Sequence, residues 1–238
     1  DVLGGNRINF RRGFRWTLSR SIHFHGMVGG SEKARLLNSS RGMIFPVRCV
    51  CCLACRVDTG ATAHLARQSR LKTNSSASFQ ICHVSHPKVA QAIKEAQLDG
   101  VDVTAETCGH YLSMTDKDVL AHGSLFKCAP PLRSAEDVDA LWHYVEDGTL
   151  SCIGSDHSPC ELSEKSEEKH GIFGAWGGIS SIQSTIQAAY SEGVVKRGVS
   201  PTVIAHAIGE GPARVFGLYG KKGAIRPGFD ADMVILDP

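Results

Sequence analysis

The sequence predicts an α/β fold built on a parallel sheet. Short apolar strands alternate with stretches of 3.6-residue periodicity, and turn residues punctuate each change. His, His and Asp also recur where a strand gives way to its following loop, the rim on which parallel folds build their sites.

The elements run in order. Residues 78–84 read as a short buried strand ending at His83-Val84. Lys88 to Leu98 places Val89, Ala90, Ile93 and Ala96 at helical spacing, and Asp99-Gly100 stops that helix. Val101 to Glu106 is the second strand. Ala135 to Glu146 is a helix with Val138, Leu141, Trp142 and Val145 on one face. Leu150 to Gly154 is the third strand, and Ile179 to Tyr190 the next helix. Pro201 to Ile208 and Pro212 to Phe216 make a helical pair. After the turn at Pro227-Gly228, Met233 to Leu236 reads as a terminal strand.

The chain has 238 residues, is 42% hydrophobic and 21% charged, and carries a net charge of +2. No apolar run is long enough to cross a bilayer, so no membrane association is expected. The first residue is Asp1, without a signal-peptide pattern, and a fragment is expected. Nine cysteines, an odd number, point to a reducing, cytoplasmic setting rather than a disulfide framework. Cys49, Cys51, Cys52 and Cys55 crowd together, but no second pair follows at zinc-ribbon spacing; the stretch is read as cysteine-rich without a site.

Charge is uneven. Residues 1–77 hold 13 Lys+Arg and 3 Asp+Glu, a net of +10, and residues 78–238 a net of −8. Such asymmetry marks a boundary. The arginines of the basic segment follow no helical face and have no interleaved aromatics, so no nucleic-acid partner is expected. The segment is expected to be disordered or read from a shifted coding frame.

His83 and Asp156 are the first candidate metal ligands. A strand-end imidazole offers a nitrogen lone pair, but by itself reads more often as a hydrogen-bonded structural residue than as a ligand. Asp156 lies in Gly154-Ser155-Asp156-His157-Ser158-Pro159-Cys160; its carboxylate suits a metal and a proton, and the stretch also reads as a capped turn.

Five stretches in this order resemble the cyclic amidohydrolase family, which includes dihydroorotases, hydantoinases and allantoinases. They are His83-Val84-Ser85, residues 106–112 (Glu-Thr-Cys-Gly-His-Tyr-Leu), 127–133 (Lys-Cys-Ala-Pro-Pro-Leu-Arg), 154–160, and 175–179 (Ala-Trp-Gly-Gly-Ile). The third, fourth and fifth are similar to the allantoinase branch. The likeness runs from about residue 78 to the C-terminus. It implies a TIM-type (β/α) barrel with two zinc ions at the strand C-termini, and a small β domain from both chain ends. On that basis 78–220 is the C-terminal part of the barrel and 221–238 a C-terminal β segment.

The resemblance makes His83 a zinc ligand and Asp156 both metal ligand and catalytic base. His110 matches a histidine near the site that is not a ligand; beside it Gly109 stands where the family usually has Pro, which loosens the turn. The implied reaction is ring opening of a small cyclic ureide, allantoin to allantoate, by water that the metal activates. A homo-oligomer is compatible with the family.

The family's site also uses a His-x-His pair, a bridging lysine and a fifth-strand histidine. His23-Phe24-His25 has the first form, but His25 lies only 58 residues before His83. That distance suits the fifth-strand histidine, with chance in an Arg/Ser/Gly-rich segment as the alternative. No lysine takes the bridging role. Two sound ligands fall short of the three a catalytic zinc normally needs. The chain by itself is therefore expected to bind zinc weakly and not to turn over allantoin. Dihydroorotate or hydantoin chemistry, or a non-catalytic remnant, are the competing readings. The acidic stretch from Glu161 to His170 reads as a surface loop or a lid.

Overall fold

Four parallel strands and the helices between them form the core of the protein. The computed structural model describes residues 49–52 and 79–236. All of them belong to one compact unit, Ile44–Pro238.

Strand β1 (Cys49–Cys52) lies beside β2 (Phe79–Cys82), which leads into helix α1 (Pro87–Leu98). Strand β3 (Val103–Cys108) follows, then a 3₁₀ turn over Gly109–Leu112 and helix α2 (Asp116–His122). Helix α3 (Ala135–Glu146) crosses back to β4 (Cys152–Gly154). Beyond it lie α4 (Glu167–Gly174), α5 (Thr185–Ala188), α6 (Pro201–Ala205) and α7 (Gly211–Val215). Helices α5 and α6 each run on into a π-helical turn. The sheet order is β1-β2-β3-β4, every pairing parallel, with Ile81 opposite Ala105 and Cys108 opposite Gly154.

Local chemistry explains the helix ends. In α1 the His86 ring accepts from the Lys88 amide at 3.1 Å, and Pro87 occupies the first turn, where its missing N–H costs nothing. At the other end Gly100 takes φ +75°, and the Val101 amide reaches back to the Ala96 carbonyl at 2.9 Å, a Schellman closure. Ser134 caps α3 through the Asp137 amide, with Glu136 and Asp137 complementing the positive end of the helix dipole.

The sheet has two unlike faces. Ile81, Val103, Ala105 and Ile153 are buried against the helices together with Val89, Ala90 and Ile93 of α1 and Leu141, Trp142 and Val145 of α3. The other face carries polar and thiol groups. Gln80 is 1% exposed and accepts from Thr104, and the Glu106 carboxyl lies against Gly154, where an added Cβ would come within 3.3 Å of it. Burial on both faces is the arrangement of parallel sheets, here with a polar inner side.

Three sequence expectations need correction. Helix begins at Thr185 rather than Ile179, because Ile179 pairs with His157 and the Ser181 and Ile182 amides donate to His157 Nδ1. The strand expected at Val101 starts at Val103, since Val101 is spent closing α1. Met233 to Leu236 form no strand, and Ile235 is 93% exposed: among the described residues nothing pairs with them, and a strand without a partner is not stable.

Trp142 is the anchor of the α3 layer. It is 2% exposed, donates to the Leu112 carbonyl at 3.0 Å, and presses on Gly193, where a Cβ would lie 2.7 Å from the ring. Trp142→Ala is expected to cost about 3–5 kcal/mol in urea unfolding. A loss below about 1 kcal/mol would show that the ring is not the core element described here.

Candidate metal and catalytic site

The carboxyl ends of β2, β3 and β4 deliver the candidate residues to one rim. His83 directly follows β2, and Asp156 comes two residues after β4. His83 Nε2 and Asp156 Oδ1 lie 3.0 Å apart, though 73 residues separate them in the chain. Both sit in the left-handed region, at φ +59° and φ +44°, and they are the non-glycine residues with positive φ among those described. Such backbone costs on the order of 1–3 kcal/mol per residue and clusters at functional sites.

The surroundings impose that backbone. The Val84 amide donates to the Glu106 carbonyl at 2.9 Å, and Thr107 Oγ1 donates to the Val84 carbonyl at 2.7 Å, so the residue after His83 is pinned to β3. On the other side Ser181 donates to the Ser155 carbonyl, and the Ser158 amide to the Ile179 carbonyl at 3.0 Å. Asp156 is held between those two bonds.

Between His83 and Asp156 lies the end of β3. Cys108 is fully buried and His110 is 3% exposed. One donor atom each of Cys108, His110 and Asp156 lie within 4.8 Å of one another. Neither ring nitrogen of His110 has a hydrogen-bond partner among the described residues. Burial pushes the His110 pKa down to about 4, partly opposed by the Asp156 charge, so the ring is neutral near pH 7. Burial also raises the Cys108 thiol well above its ordinary value, and raises the Glu106 carboxyl against the opposing pull of His83. The Tyr111 hydroxyl donates to the Pro130 carbonyl at 3.0 Å, locking the turn that carries His110.

These residues suit a borderline divalent ion. An imidazole nitrogen and a carboxylate oxygen 3.0 Å apart match two donors on one cation, and the unpartnered His110 nitrogens leave a lone pair for another. His25 lies outside the described residues, as do the side chains of Cys49, Cys51, Cys52 and Cys55. The sequence reading placed His110 beside the site; the structure adds Cys108 at the same point. A Cys-x-His pair directly after a strand is the signal that was available.

At Gly109 an added Cβ would make only ordinary contact with Ala188 of α5, at 3.4 Å. The acidic stretch after Asp156 is exposed, as a surface loop should be, but tied down at its base. Lys165 Nζ donates to the Ser124, Leu125 and Lys127 carbonyls at 3.0–3.1 Å, and Lys127 Nζ donates to the Phe173 carbonyl at 2.7 Å.

Parallel βα units that present histidine and carboxylate at their strand ends are the arrangement of TIM-type barrels, and what is described is a part of such a barrel. The Amidohydrolase family profile matches residues 46–238, and the chain belongs to that family, whose members are metal-dependent. The chain is 41% identical over 186 residues to an allantoinase of Rubrobacter xylanophilus, covering 78% of this chain and 40% of that protein. It is 42% identical over 160 residues to an allantoinase of Enterococcus faecalis, covering 67% and 35%. Among solved structures it resembles the dihydropyrimidinase of Brevibacillus agri, with a TM-score of 0.66 at 28% identity over 72% of this chain and 37% of that one. It also resembles the L-hydantoinase of Arthrobacter aurescens, with a TM-score of 0.66 at 30% identity over 71% and 38%. The chain thus spans about 40% of the length of the first of these curated relatives. The match begins at residue 46, ahead of the sequence-visible likeness at 78, and takes in β1.

His110 gives the fold an acid-sensitive term. Its folded pKa, about 4, lies below the ordinary 6.5, so between those values the unfolded chain holds a proton that the folded chain refuses. Stability therefore rises with pH across that window and is lost as pH falls from about 6.5 toward about 4. In the metal-free protein the loss is on the order of 3 kcal/mol. Urea titrations of the wild type and His110→Asn between those pH values should show that slope in the first and not in the second. An equal slope in both would place the acid-sensitive group elsewhere.

Proposed function

We propose that this chain serves metal-dependent hydrolysis of a cyclic amide, with allantoin as substrate and allantoate as product. The 3.0 Å approach of His83 to Asp156, both in left-handed backbone, is the observation that carries the reading. The identity to two allantoinases, 41% and 42%, supports the choice of substrate over hydantoin or dihydroorotate.

His83 and Asp156 would hold the ion, and zinc suits their nitrogen and oxygen donors. When bound, such an ion supplies Lewis acidity and brings the pKa of water toward neutrality. Asp156 accepts the proton of the attacking water through a carboxylate oxygen. It passes that proton to the ring nitrogen as the C–N bond breaks, so one water is consumed and a ureido acid is left. The apolar core behind β2 and the pinned loops on either side hold His83 and Asp156 in register, which is where orientation contributes to rate.

The test follows allantoate formation by the zinc-supplemented chain, alone and mixed with the upstream portion of the Rubrobacter relative. Allantoate is expected in the mixture, and Asp156→Asn should slow it about 10²–10⁴-fold with far-ultraviolet circular dichroism unchanged. Opening of hydantoin or dihydroorotate without allantoin would overturn the substrate. No ring opening in any mixture would favour a non-catalytic remnant.

A further inference from the structure

We propose that His157 is a positioning residue for Asp156: its Nδ1 accepts the Ser181 and Ile182 amides and so ties the Asp156 loop to the segment that leads into α5. The proposal rests on the reading of Asp156 as metal ligand and base, and adds a residue that acts through it.

The ring is held at one nitrogen. The Ser181 and Ile182 amides reach Nδ1 at 3.1 and 3.2 Å. An accepting Nδ1 carries no proton, so the two N–H groups share its one lone pair and the ring proton sits on Nε2. Two backbone donors, 24 and 25 residues further along the chain, thereby fix the tautomer. They also exclude His157 from the ligands of any cation at Asp156, although the two residues adjoin. One ring nitrogen is protonated, and the lone pair of the other is in use.

The consequence falls on Asp156, because both of its neighbours are anchored to the same segment. The Ser155 carbonyl accepts from the Ser181 hydroxyl. His157 pairs with Ile179 in a parallel bridge, and its ring takes the amides of Ser181 and Ile182. Asp156 lies between these ties at φ +44°. A non-glycine residue keeps such backbone only where its surroundings over-determine it. Without the ring acceptor, one of the two flanking ties is cut, and the loop is free to relax toward ordinary φ. The carboxylate then leaves its place 3.0 Å from His83.

The segment that receives the ring is itself rigid. The Ser184 and Thr185 hydroxyls donate to the Ser181 carbonyl at 3.2 and 2.8 Å, which joins it to the start of α5. Ser181 is 4% exposed, so water does not replace the ring as partner of its amide. The tie therefore transmits the position of α5 to the rim.

Side-chain geometry supplies the test. The amide oxygen of Asn falls near the place of Nδ1, whereas that of Gln falls near Nε2 and misses the two amides. Nitrogen-15 histidine NMR of the metal-free 238-residue chain is the first measurement. His157 is expected with its proton on Nε2, and His83 with a slowly exchanging Nε2 proton held by Asp156 Oδ1. His157→Asn should keep that His83 resonance and His157→Gln should lose it, with far-ultraviolet circular dichroism unchanged in both. Zinc affinity, read by competition with a chelator, should stay within about threefold in His157→Asn and fall about 10–100-fold in His157→Gln. A proton on His157 Nδ1 overturns the proposal, and so does a His83 resonance or a zinc affinity that survives His157→Gln. Should His157→Gln not fold, His157→Asn carries the test alone, and loss of the His83 resonance there overturns the proposal. A wild type that gives the expected spectra but binds no zinc sinks the functional reading and leaves the role of His157 standing.

Discussion

The contact between His83 and Asp156 depends on parallel register. Residues 73 apart in the chain meet at 3.0 Å because β2, β3 and β4 run the same way and end at one level. A slip of one residue in either pairing would turn the inner side chains toward the helices and part the pair. The two strained backbones at the rim are tolerated because hydrogen bonds from β3 and from the Ser155–Ser181 region hold the loops on both sides. The sheet provides the rigidity, and the rim holds the strain.

The sheet's faces divide the work. The side against α1 and α3 is apolar and fully packed, and supplies the driving force for folding. The opposite side buries Gln80, Thr104 and Glu106, which an interior accepts only when they have partners. Across the strands Thr104 donates to Gln80 Oε1 and the Glu106 carboxyl lies beside Cys82, while Gln80 Nε2 has no hydrogen-bond partner among the described residues. Such a network links the strands below the rim, so that the groups at the top inherit its order.

The likeness to hydantoinase and dihydropyrimidinase structures at a TM-score of 0.66 extends over less than two-fifths of those chains, and the match to the Rubrobacter allantoinase over 40% of its length. What this chain shares with them is the stretch that carries His83, Cys108, His110 and Asp156. The site is therefore best weighed by what these side chains do together. Cys108 and His110 matter for that reason: they bring a sulfur and a nitrogen to the Asp156 carboxylate from within the described strands.

The sequence by itself determined the α/β order and the buried faces of α1 and α3, and with the family resemblance it singled out His83 and Asp156 as candidates. Those features are written in local terms: apolar spacing, Asp-Gly and Gly-Ser punctuation, and polar residues at strand ends. Only the tertiary structure decided that His110 has no partner, that Cys108 points to the same place, and that residues 179–184 cap His157 instead of starting a helix. It also decided that Met233 to Leu236 form no strand. Each of these depends on what lies across space from the residue, a neighbour dozens of positions away or none at all, and periodicity along the chain carries no information about that.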